Sequence, residues 1–263
     1  MTTTTPVSSP TATRPVPPLG GFNPTLLRLE LRRMLRNRRT VLFTLVFPAA
    51  LFLSFGGQSG WDDTVGRGNV AAYIMVSMAL YGAALTAASG GAAVALERSV
   101  GWSRQLRLTP LVPTAYVTAK VLMALTLGAV AVTVVNVTGL VQGRPSMPSV
   151  VWVACALLTV VCTLVFAALG LFVGYLVPGE NAMQLLGPAL ALLAFMGNVF
   201  IPMEQGSVVY RIAELTPMFG VAEICRAPLT GDLPWTAVLN ALVWLCIFVT
   251  GAAWCMSRDT ARV

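Results

Sequence analysis

Side chains able to do chemistry are scarce in this chain of 263 residues. Histidine is absent, which removes imidazole general catalysis, histidine triads and most zinc sites. Lys120 is the one lysine, and no glycine precedes it. The G-x-x-x-x-G-K loop that cradles phosphate is therefore missing, and the chain cannot hydrolyse ATP by that route alone. The five cysteines (Cys155, Cys162, Cys225, Cys246 and Cys255) form no C-x-x-C pair. Four of them lie in apolar stretches, where cysteine behaves as a small hydrophobe. No catalytic residue, metal ligand or bound cofactor is expected.

Most of the other charged residues gather in three segments. In NPTLLRLELRRMLRNRR, Leu27, Leu31, Met34 and Leu35 share one helical face, and Arg28, Arg32, Arg36 and Arg39 share the next. That is the pattern of a helix lying in the headgroup plane, or of arginines that merely flank a first span. Residues 97–111, ERSVGWSRQLRLTPL, place Glu97 and Arg98 at the mouth of a long helix. A short amphipathic stretch of Trp102, Arg104, Leu106, Arg107 and Leu108 follows, and Pro110 ends it. Too short to bury its apolar face alone, it either docks on a partner or rests on anionic lipid. The third segment, after residue 200, holds Glu204, Arg211, Glu214, Glu223 and Arg226 in an unusually apolar loop. Prolines 202 and 217 break it, and it either dips back toward the membrane or floats as a solvated loop. Arg211 with Glu214, three apart, is the simplest ion pair to expect there.

The elements that must position these groups are membrane helices. The chain is 56% hydrophobic and 10% charged, against roughly 25% charge in a soluble domain, so its solvent must be lipid. Residues 1–22, rich in Thr, Pro and Ser, read as a disordered tail, and 23–39 as the amphipathic interfacial helix. A six-span domain over 40–257 follows, with spans near 40–56, 69–96, 115–141, 150–177, 182–201 and 236–257. Pro188 is expected to kink the fifth. Residues 258–263 form a C-terminal tail. With the N-terminus inside, thirteen basic residues fall on the inner side and four outside, which puts both termini in the cytoplasm.

No Asp, Glu, Lys or Arg stands near the middle of a span. Ion-coupled transporters use such residues as relays or ligands, so a self-powered transporter is disfavoured. Ala79, Ala83, Ala87, Gly91 and Ala95 recur every four residues along the second span, and Gly170 and Gly174 form a G-x-x-x-G pair on the fourth. Such ridges let helices approach closely, within one bundle or between subunits. Met75, Met78, Tyr81, Leu85, Phe195, Met196 and Asn198 could line a path for an adaptable apolar ligand, or could be ordinary packing.

The basic first helix, the six spans and the Glu-Arg-x-x-Gly-Trp loop ending in Thr-Pro-Leu together resemble the ABC-2 type permeases of ATP-binding cassette exporters. So does the Pro-x-Glu … Ile-Ala-Glu-Leu-Thr-Pro … Arg block after the fifth span. The variety it is most similar to is the actinobacterial drug or antibiotic exporter. The family often carries a second proline after its outer-loop glutamate, where this chain has Gln205-Gly206-Ser207.

The resemblance implies an all-α polytopic subunit with an outer re-entrant segment between spans five and six. It makes Glu97, Arg98, Gly101, Trp102, Arg104, Leu106 and Pro110 the coupling helix on an ATPase, with Glu180 in the second inner loop. Leu27, Leu31, Arg32, Leu35 and Arg36 become the connecting helix, and Pro202, Glu204, Arg211, Glu214, Pro217, Glu223 and Arg226 the outer gate. It implies two ATPase subunits that use ATP and Mg, a second permease, identical or related, and the bacterial cytoplasmic membrane. Nucleic acid is not an expected partner. The expected cargo is a drug, antibiotic or lipid-like compound. A polysaccharide or lipid-linked glycan exporter, a non-transporting sensor or assembly protein and, less so, a membrane-embedded enzyme are the rival readings.

Overall fold

The computed structural model describes Thr25, Arg28, Leu29, Arg32 and Arg36, and residues 42–55, 60–100, 113–177, 179, 181–200 and 206–261. The tail 1–22, Leu27, Leu31, Leu35, the loop from Gly101 through Trp102, Arg104 and Leu106 to Pro110, Glu180, Pro202 and Glu204 lie outside the described residues. Thr25, Arg28, Leu29, Arg32 and Arg36 are helical and exposed.

Among the described residues eight α-helices follow, with a short hairpin between the first and second. They are α1 (Phe47–Phe55), α2 (Val70–Ser99), α3 (Pro113–Gln142), α4 (Ser149–Leu176), α5 (Asn181–Met196), α6 (Val208–Ala213), α7 (Pro217–Thr230) and α8 (Trp235–Ala261). The hairpin pairs β1 (Thr64–Val65) antiparallel with β2 (Gly68–Asn69). Among the described residues four helices, α2, α3, α4 and α8, are long and apolar enough to cross a membrane. They cover nearly the expected second, third, fourth and sixth spans.

Among the described residues the other two expected spans hold shorter helices. Leu42–Val46 is a π-helical turn that leads into α1, where Pro48 lacks the N–H that would continue a regular ladder. The fifth span was expected to run to residue 201, but α5 stops at Met196. At 1.5 Å per residue its 16 residues reach about 24 Å, short of the ~30 Å of hydrocarbon. Tertiary packing stops it: Asn198 turns left-handed with φ 59°, and a Cβ on Gly197 would lie 2.5 Å from Met218 Cβ.

Local sequence explains the helix starts. Asn69 caps α2 by accepting from Ala72 N at 3.0 Å, and Ser207 caps α6 by accepting from Tyr210 N at 3.1 Å. Thr216 caps α7, with Pro217 in its first turn, and Gly231 in the left-handed region closes it.

The bundle is built around α2, which packs on α4, α3, α5 and α1. Of its most apolar stretch 78% is buried inside the protomer, against 17% for α8, so α2 is the hub and α8 faces outward. The small-residue ridge serves this packing within the protomer. A Cβ on Gly91 would stand 2.5 Å from Ala167 O, and one on Gly174 would stand 3.0 Å from Ala92 Cα. The outward faces of α4 (Val150, Val153, Leu157, Val161) and α8 (Leu239, Leu242, Val243, Ile247) are apolar and exposed, as lipid requires.

Candidate coupling and gating sites

At one end of the bundle, the last turn of α2 meets the first turns of α3 and the last turn of α4. Lys120 Nζ lies 2.5 Å from Glu97 Oε1, and the Tyr116 hydroxyl donates to Glu97 Oε2. Tyr116 and Lys120 are four apart and so share a face of α3; the ammonium lies 5.3 Å from the Tyr116 ring centroid. Glu97 and Lys120 are 2% and 1% exposed, so each charge depends on the other. Removing one partner of such a pair costs about 3–5 kcal/mol. Arg98, the next residue on α2, donates to Tyr175 O at 2.9 Å and to Gly174 O at 3.3 Å. Those are terminal carbonyls of α4, where a cation is favoured by the helix dipole. Sequence reasoning placed Glu97 and Arg98 at this mouth but missed Tyr116 and the role of Lys120. The available signal was a lone lysine in an apolar helix, which needs an acidic partner.

At the opposite end, Arg226 on α7 is 1% exposed. It donates from Nη2 to Glu223 Oε1 at 2.9 Å, from Nη1 to Asn198 O at 2.9 Å, and from Nε to Ala222 O at 3.1 Å. It also donates to the Tyr73 hydroxyl, and its guanidinium lies 4.5 Å from that ring's centroid. One side chain thus ties α7 to α2 and to the turn that ends α5. The expected ion pair of Arg211 with Glu214 does not form; both side chains are exposed, and Glu223 with Arg226 is the pair instead. The six-residue α6 ends at Ala213, and the Glu214 and Leu215 carbonyls accept from Asn240 and Trp244 of α8. α7 packs on α8, α4, α2 and α5, with Met218, Val221, Cys225 and Leu229 buried, so it is no solvated loop.

The residues expected along a path separate into two groups. Met75, Met78 and Tyr81 are buried, the methionines in a cluster with Phe52, Trp61 and Val135. Leu85 is half-buried, and Asn198 is buried at the end of α5. Phe195 and Met196 are exposed. Phe200 bridges the two groups, with its ring centroid 4.8 Å from Tyr81 and 4.9 Å from Phe195.

The family model for ABC-2 family transporter protein matches residues 62–255. The chain is 25% identical over 225 residues to a Bacillus subtilis (strain 168) protein named "Putative transport permease YvfS", covering 84% of this chain and 91% of that one. The match takes in both polar clusters and every helix from α2 to α7, with most of α8. Membrane-crossing helices, polar clasps at their two ends and no ATPase motif of its own suit a membrane permease subunit, and the chain belongs to the ABC-2 transporter family.

Proposed function

We propose that this permease draws its energy from a separate ATP-binding cassette ATPase and exports a hydrophobic or amphipathic compound across the bacterial cytoplasmic membrane. The observation that carries the reading is Lys120. The chain's one lysine is buried against Glu97 and so is engaged away from any phosphate, in a family of membrane transporters, which supports a reading in which nucleotide chemistry comes from another subunit. Two ATPases and two permeases, identical or related, make up the complex. The loop 101–112, between the inner ends of α2 and α3, is the docking segment. Both termini are cytoplasmic, in keeping with the arginine distribution. α1 and α5 complete six crossings, and α6 with α7 dips back into the outer leaflet as a gate.

The exposed Phe195 and Met196 face the path, and Tyr81 and Phe200 back them. Aromatic and methionine side chains offer apolar contact that adapts to cargo of varied shape. The test is co-purification of the tagged chain from its native membrane, followed by mass spectrometry. An ATPase bearing a phosphate loop should come with it, and a preparation lacking one would refute the reading.

A further inference from the structure

The two adjacent charges that end α2 are used in different directions. Neighbours on a helix point about 100° apart, so Glu97 and Arg98 reach different elements. Glu97 takes Lys120 and Tyr116 of α3, whereas Arg98 takes the terminal carbonyls of α4. Less than two turns earlier, Gly91 meets α4 at a separation that leaves no room for a Cβ. The inner end of α2 is thus pinned on two sides, and the loop proposed to dock on the ATPase leaves from this pinned end.

We infer that Lys120 is a positioning residue for coupling: with Arg98 it makes the inner ends of α2, α3 and α4 move as one unit during the transport cycle. The inference rests on the proposed function, because it describes how the docking loop passes on its motion. Glu97 and Lys120 are almost wholly buried. Drawing α3 away from α2 would leave two uncompensated charges at the edge of the hydrocarbon, so the clasp stays shut while the helices shift together. A push on the loop therefore tilts three helices instead of bending α2 alone.

The first arm uses the permease alone in lipid nanodiscs and reads hydrogen exchange. Lys120→Met should raise exchange at 92–99, 115–122 and 170–177 together, and Lys120→Arg should return all three toward wild type. A rise confined to the α3 stretch, or none, overturns the inference. The second arm uses the permease with its co-purified ATPase. Lys120→Met should lower permease-dependent ATP hydrolysis about tenfold while the ATPase still co-purifies, and Lys120→Arg should restore it. Unchanged hydrolysis in Lys120→Met overturns the coupling role.

The third arm leaves Lys120 and Glu97 in place. Spin labels at Ser99→Cys and Thr118→Cys, with the native cysteines replaced by alanine, should keep one separation with and without a non-hydrolysable ATP analogue. A change in that separation overturns the inference. If no ATPase co-purifies, the proposed function fails and the coupling role falls with it, while the exchange arm still decides whether the clasp joins the three helices.

Discussion

Gly170 on α4 lies so close beneath Ala88 on α2 that a Cβ added to it would stand 2.1 Å from the Ala88 carbonyl oxygen. The neighbour is helix backbone, which cannot swing aside as a side chain can. Gly170→Ala should therefore destabilise the bundle by about 1–3 kcal/mol or more, as overpacking does. Gly174→Ala, whose Cβ would meet Ala92 Cα at 3.0 Å, should cost less. Thermal unfolding in detergent should rank wild type above Gly174→Ala above Gly170→Ala. Equal stability of the two variants would show that the helices can part freely at this crossing.

Arg226 and Arg211 should behave differently although both lie in the outer segment. Arg226→Met takes the guanidinium from Glu223 and the Asn198 carbonyl, at a cost of about 3 kcal/mol, the low end for a buried pair because Glu223 is part-exposed. Arg226→Lys should recover only part of this, since an ammonium cannot reproduce the fork that spans four acceptors. Arg211→Ala should stay within about 0.5 kcal/mol of wild type. Unfolding of all three, beside a cell-based efflux assay, checks the ranking. An Arg226→Met protein as stable as wild type would remove the guanidinium as the tie between α2, α5 and α7.

Asn69 joins the hairpin to the turn between α3 and α4 through one side chain. Its Oδ1 accepts from Ala72 N at 3.0 Å and from Ser146 N at 2.9 Å, and its Nδ2 donates to Arg144 O at 2.8 Å. Asn69→Asp keeps both acceptor roles and loses only the donor, so it should be milder than Asn69→Ala, which loses the cap as well, at about 0.5–2 kcal/mol for the cap alone. Limited proteolysis between α3 and α4 should be faster in Asn69→Ala than in Asn69→Asp.

Ser146, between α3 and α4, and Ser257, near the end of α8, are both exposed and should lie on opposite sides of the membrane. Ser146→Cys should react with an impermeant maleimide on intact cells, and Ser257→Cys only after permeabilisation. The reverse pattern would invert the orientation drawn from the arginines.

The long helices were legible because an apolar run of 24 or more residues has one reading in lipid, and α2, α3, α4 and α8 lie where their runs lie. The end of α5 was not legible. It depends on Gly197 meeting Met218 and on the Asn198 carbonyl meeting Arg226, contacts across 21 and 28 residues. The outer ion pair could not be chosen by spacing, since Arg211 with Glu214 and Glu223 with Arg226 are both three apart. A weaker signal was present: Glu223 precedes its arginine, the favourable order along a helix, while Glu214 follows Arg211. Burial by α2 and α5 then decided between them. Lys120 was read as a marker of orientation because its partner lies 23 residues away, across a loop whose motif drew attention to the loop itself.

The most direct test of a permease powered by a separate ATPase is ATP hydrolysis in proteoliposomes, measured for the permease alone, the co-purified ATPase alone and the two together. The permease alone should release no phosphate, and the pair should hydrolyse ATP at a rate that depends on the permease. Hydrolysis by the permease alone, or a rate for the ATPase that ignores the permease, would contradict it.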